Sequence, residues 1–135
     1  MLNRNNGPST TLWLYKGLFY LAIIAILTDF GGYLYSTISA GFDVYATFLS
    51  ALYFLTDCAT AFFALRKNLL GFIIFFIASW EDYSFDRSLG VTFHNMSFTH
   101  APELFLMHCF FVASLVYCLL ALGYFFAQFI LRMAQ

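Results

Sequence analysis

A chain of 135 residues that is 62% hydrophobic and only 10% charged does not have the composition of a soluble domain, which carries about a quarter charged residues. Its formal net charge of −1 excludes the strongly basic face of a nucleic-acid binder. Mean hydropathy of +0.80 and 19 phenylalanines predict a surface that faces lipid.

Residues 1–11 are polar and predict a short tail, with the run Ser9-Thr10-Thr11 capping the helix that follows. The first span is expected at 12–38. Trp13, Tyr15 and Lys16 anchor its start at a membrane interface, and Asp29 lies well inside it. The run exceeds the apolar core of a signal peptide and contains an acid, so an uncleaved span is expected. Gly31-Gly32 predict a bend just beyond Asp29. The short link 39–42 joins this span to a second at 43–65 as an antiparallel hairpin, and Asp57 lies inside the second.

Arg66-Lys67, the only basic doublet, separates this hairpin from the next two apolar segments. The third segment, 68–85, is short of apolar residues. Only 13 residues separate Lys67 from Glu81, whereas about 20 are needed to cross a bilayer. The preferred reading continues the helix through Glu81 and Asp82 to about Phe85, with Trp80, Tyr83 and Phe85 as an interfacial belt. The alternative stops it at Trp80 and thins the bilayer locally. An external loop follows at 86–101. Leu89, Val91 and Phe93 alternate there with polar residues, as a small hairpin turning at His94-Asn95 or an irregular loop on the membrane would require. Asn95-Met96-Ser97 matches the glycosylation acceptor pattern. The fourth span, 102–133, opens with Pro102 and Glu103, which suit a first helical turn, and is longer than one crossing.

Placing Arg66-Lys67 in the cytoplasm puts Arg4, Lys16 and Arg132 there too and leaves only Arg87 outside, a clear positive-inside pattern. The expected fold is an all-α integral membrane protein. It is a single four-transmembrane-helix bundle with both termini cytoplasmic, in an inner or plasma membrane or, alternatively, an organelle membrane.

Asp29 and Asp57 are the main functional candidates. A carboxylate in hydrocarbon is costly and marks a proton or ion site, or a hydrogen-bonded packing contact. Counting along helices puts Asp29 roughly 20 Å from Lys16 and Asp57 roughly 13 Å from Arg66, within about one turn of each other in depth. Ala22, Ala25, Asp29, Gly32 and Ser36 share one face of the first span, and Ser50, Asp57, Ala61 and Ala64 one face of the second. These small-residue faces predict packing of Ala25 against Ala61, and at least one of the two acids is expected to be protonated near neutral pH.

A second group lies toward the outer face: Glu81, Asp82, Glu103 and His108, with His94 and His100 nearby. Asp82 falls on a face with Gly71, Phe75 and Ala78, but a solvated acidic loop is the simpler reading. Glu103 and His108 are about 140° apart on a helix, so they do not address one site. His108 is a weak haem or metal candidate, and its simpler reading is a hydrogen-bonded histidine near the interface. Cys58, Cys109 and Cys118 sit in apolar runs without CxxC spacing and read as packing residues. No cofactor, metal or catalytic triad is expected.

The expected role is a non-enzymatic accessory or interaction subunit of a membrane complex. Its partners would be the lipid bilayer and another membrane protein or a second copy, with no nucleic acid. The alternative is a small proton- or cation-coupled transporter using Asp29 and Asp57. A weaker alternative is an enzyme acting on a lipid-soluble substrate.

Overall fold

In the computed structural model the backbone is described for residues 6–88 and 102–135, and the side chains for 10–35, 37–81 and 106–135. Four α-helices follow one another, α1 (Asn6–Ala40), α2 (Val44–Leu65), α3 (Leu70–Ser88) and α4 (Pro102–Met133), with no strand among the described residues. Three contain stretches long and apolar enough to cross a membrane: Thr10–Ala40, Val44–Leu65 and Leu106–Met133. Such helices are the signature of a membrane protein. Only 17%, 22% and 17% of their most apolar windows are buried, so Phe30, Ile38, Phe48, Leu55, Leu120 and Phe126 all point outward. Helices apolar on nearly every side fit a lipid surround and not water.

The helices differ in places from the sequence expectation. α1 begins at Asn6 and includes Ser9, Thr10 and Thr11, which were expected to precede it. Pro8 falls in its first turn, where a missing N–H costs nothing, so polarity alone does not end the helix there. α1 also continues as α-helix through Gly31-Gly32. α3 runs on through Glu81 and Asp82 to Ser88, although its apolar part, Leu70–Glu81, is short. The strand pattern expected within 86–101 falls almost wholly outside the described residues.

The chain divides into two compact units, residues 1–75 and 76–135. In the first, α1 and α2 form an antiparallel hairpin closed by residues 41–43. Gly41 ends α1 at φ +89°, a left-handed conformation that suits glycine, and its N–H donates to the Thr37 carbonyl at 3.0 Å. Asp43 caps α2, its side chain accepting from the Tyr45 N–H at 3.3 Å. α1 buries Tyr15, Leu18, Ala22 and Ala25, and α2 buries Asp57, Thr60, Ala61 and Ala64. Alanines on both helices permit close approach of their backbones.

The turn into α3 is a Schellman motif. The Lys67 N–H donates to the Ala64 carbonyl at 3.1 Å and the Asn68 N–H to the Phe63 carbonyl at 2.9 Å. Lys67 holds the left-handed position, φ 54°, that glycine usually fills. The Asn68 side chain then accepts from the Leu70 N–H at 3.0 Å and starts α3. Gly71 brings α3 against the hairpin. A Cβ there would lie 3.1 Å from Leu18 Cδ2, 3.2 Å from Phe63 Cβ and 3.4 Å from the Thr60 carbonyl oxygen. Beside it the Tyr15 and Phe72 rings meet at 5.3 Å between centroids.

In the second unit α4 buries a stripe of His108, Ser114, Leu115, Cys118 and Ala121, and α3 buries Ala78 and Ser79. The buried positions recur every three or four residues, so α4 turns one face inward and presents apolar side chains elsewhere.

Gly71 and Gly31 test this packing in opposite directions. Gly71→Val is expected to lower unfolding stability in detergent by about 1–3 kcal/mol through overpacking. Gly31→Ala, where nothing lies within 4 Å of the added Cβ, is expected to raise it by up to about 1 kcal/mol through helix propensity. Equal responses in a denaturant titration would mean that Gly71 is not a close-contact point.

Candidate functional site

The α1–α2 hairpin determines where the two acids of the apolar helices meet. Antiparallel helices joined by three residues place positions at similar distances from the link side by side. Asp29 on α1 and Asp57 on α2 fall at such a match, and their carboxyl groups are close enough to influence each other. Asp57 is 4% exposed, whereas Asp29 is half-buried. Two ionised carboxylates have only acceptors, so a direct hydrogen bond between them would require a proton on one. The two acids thus face each other across the α1–α2 interface.

Asp29 also lines a pocket of about 210 Å³ in the half of the hairpin nearer the α1–α2 link, together with Phe30, Tyr33, Thr47, Ser50 and Phe54. The Tyr33 hydroxyl and Thr47 Oγ1 lie 3.0 Å apart across the two helices. Thr47 Oγ1 donates its only proton to the Asp43 carbonyl at 2.8 Å, so Tyr33 is the donor between the two hydroxyls. Hydroxyl groups thus lie between the link and the carboxyl pair, in walls that are otherwise aromatic or aliphatic. On the other side of the pair, Thr60 is fully buried, and its hydroxyl donates to the Thr56 carbonyl at 3.0 Å.

The packed line on α1 departs from the face expected in the sequence. Gly31 and Gly32 are exposed, with no atom within 4 Å of an added Cβ, and the interface runs from Asp29 to Tyr33 instead. The step from Asp29 to Tyr33 is four residues, not three, and a bulky tyrosine reaching Thr47 takes the place that small residues were expected to fill. Tyr33 and Thr47 escaped the sequence reading. The available signal was the i, i+4 spacing of Tyr33 from Asp29.

The outer-face candidates do not assemble into a site. Glu81 is exposed, and the side chains of Asp82 and Glu103 lie outside the described residues, as do His94 and His100. His108 is described and is buried, 2% exposed. It joins the inward stripe of α4, seven residues before Leu115. No group of three or more His, Cys, Asp or Glu side chains among the described residues is arranged to hold a metal ion.

The carboxyl contact can be measured with a double-mutant cycle. Asp29→Ala and Asp57→Ala are expected to be non-additive in detergent unfolding, with a coupling of about 0.6–1.7 kcal/mol, the range of interhelical hydrogen bonds in membranes. Additive effects would mean that the pair contributes no interaction to the hairpin. In comparisons with known protein families, with characterised proteins and with solved structures, no match to this chain was found, so any functional reading rests on these side chains and their arrangement.

Proposed function

We propose that this is a four-span membrane protein with both termini in the cytoplasm, in which the Asp29–Asp57 pair takes up and releases protons to drive movement of a small cation. One observation carries the reading: two carboxyl groups are neighbours inside the apolar hairpin, and one of them lines a pocket. Removing a proton shared by the pair would leave two adjacent negative charges. At ~4 Å these repel by about 4 kcal/mol even at an effective dielectric constant of about 20. Proton release is therefore unfavourable unless a cation arrives, and cation departure is unfavourable unless a proton returns. This reciprocity is the physical basis of coupled exchange. Tyr33, Thr47 and Ser50 supply hydroxyl groups along the approach to Asp29.

The topology rests on charge and length. Five basic residues, Arg4, Lys16, Arg66, Lys67 and Arg132, fall on one side and Arg87 on the other. α3, at 19 residues, is roughly 28 Å long, close to the thickness of the hydrocarbon core, with Glu81, Asp82 and Asp86 toward its outer end. Reporters fused after Arg132 and within 66–68 are expected to read as cytoplasmic, and one at Asn95 as external. A cytoplasmic signal at Asn95 would overturn the four-span arrangement.

A second reading, the accessory or interaction subunit, draws support from the open glycines. Gly31 and Gly32 on α1 face outward with nothing near them, and a neighbouring helix approaches most closely at such residues. The Asp29→Asn and Asp57→Asn variants separate the two readings. Asparagine keeps the shape and hydrogen bonding of aspartate but does not titrate. Under the exchange reading, cation flux driven by a pH gradient in proteoliposomes falls at least tenfold in either variant while membrane abundance holds. Absence of flux in the wild type would overturn it. Loss of capture of a membrane partner at normal abundance would support the subunit.

A further inference from the structure

We infer that the Arg66-Lys67 end of the α1–α2 hairpin binds the headgroup of an anionic phospholipid between Lys16 and Lys67. A pocket of about 200 Å³ lies there, lined by Tyr15, Lys16, Phe19, Tyr20, Leu65 and Lys67 among others. It is smaller than the roughly 300–1,000 Å³ of a typical small-molecule site and suits a compact phosphodiester. Its charged side chains are two lysines, and no carboxylate lines it. Neither lysine has an ion-pair partner among the described residues, and both are exposed. Each ammonium offers up to three donors to phosphate oxygens.

The doublet is divided between two tasks. The Arg66 guanidinium lies over the Phe62 ring, 5.3 Å from its centroid, whereas Lys67 lines the pocket. Lys16 lies over the Trp13 ring, also at 5.3 Å, which holds its ammonium at the end of the hairpin. Lys67 keeps its place despite a backbone conformation that favours glycine, so the position carries a charge where a neutral residue would fit the turn better. The flanks are apolar: Leu12, Trp13, Tyr20 and Leu65 are exposed beside the lysines and provide a surface for acyl chains. Cationic groups at the end of two apolar helices, with aromatic side chains beneath them, are complementary to a lipid that is negative at its head and apolar below.

The test is native mass spectrometry of the detergent-purified full chain with phosphatidylglycerol or phosphatidylcholine of identical acyl chains. Preferential retention of phosphatidylglycerol is expected. Lys16→Gln or Lys67→Gln should weaken it about fivefold each and the double variant about 25-fold, whereas Lys67→Arg and Arg132→Gln retain it. Soluble glycerol 3-phosphate should not displace the lipid. Lys67→Gly removes the charge while easing the turn, so its loss of lipid with unfolding stability retained supports the site. Equal retention of the two lipids, unchanged binding in the double or Lys67→Gly variant, an equal loss in Arg132→Gln, or displacement by glycerol 3-phosphate would each overturn the inference.

Discussion

Helices that are apolar on nearly every face gain little by hiding those faces from hydrocarbon, so their arrangement depends on interactions that lipid does not supply. In the α1–α2 hairpin these are the close approach of small side chains and a few polar contacts. Ala22 and Ala25 on one helix and Ala61 and Ala64 on the other bring the backbones together. The facing Asp29 and Asp57 and the Tyr33–Thr47 contact then select one rotation and one register of α1 against α2. An alanine interface alone would tolerate sliding by a turn. Two polar contacts separated along the helices would not, because a shifted register leaves polar groups facing hydrocarbon.

The two ends of the hairpin differ in character, and the difference starts in the chain. The link end has a cap built from Asp43 and a hydroxyl pair above a carboxyl-lined pocket. The opposite end has Arg66 and Lys67 in a Schellman turn, Lys16 beside Trp13, and α3 entering over Gly71. Acidic and basic groups therefore sit at separate depths along one pair of helices, far enough apart that neither neutralises the other. No lysine or arginine lines the pocket beside the carboxyl pair.

Much of this was legible in the residues. Long apolar runs between short polar links give the helices, and counting residues from the basic landmarks puts Asp29 and Asp57 at similar depth, because rise per residue is nearly constant. Helical continuation through Glu81 and Asp82 was also readable, from Trp80, Tyr83 and Phe85 beyond the apolar run. Other features were not. Composition shows that residues before Leu12 are polar, but polarity does not distinguish a coil from a solvated helical turn. Gly71 looks like any glycine in an apolar run until the opposing Leu18, Phe63 and Thr60 are known. Tyr33 and Thr47 meet only because two helices cross at a particular rotation, which a single helix's periodicity does not specify. That His108 is buried was not legible either, because nothing in the local sequence says which face of α4 turns inward.

The order of synthesis gives the carboxyl pair a consequence in time. Asp57 is made 28 residues after Asp29. At elongation rates of about 5–20 residues per second, the first acid waits between one and several seconds for the second. During that interval α1 has its carboxyl and its hydroxyls but no helix to receive them, and an isolated charged carboxyl in lipid is costly. The three-residue link shortens the wait, since α2 starts as soon as α1 ends. Formation of the hairpin as one unit, once both helices have been made, is thus favoured over an α1 that stands alone.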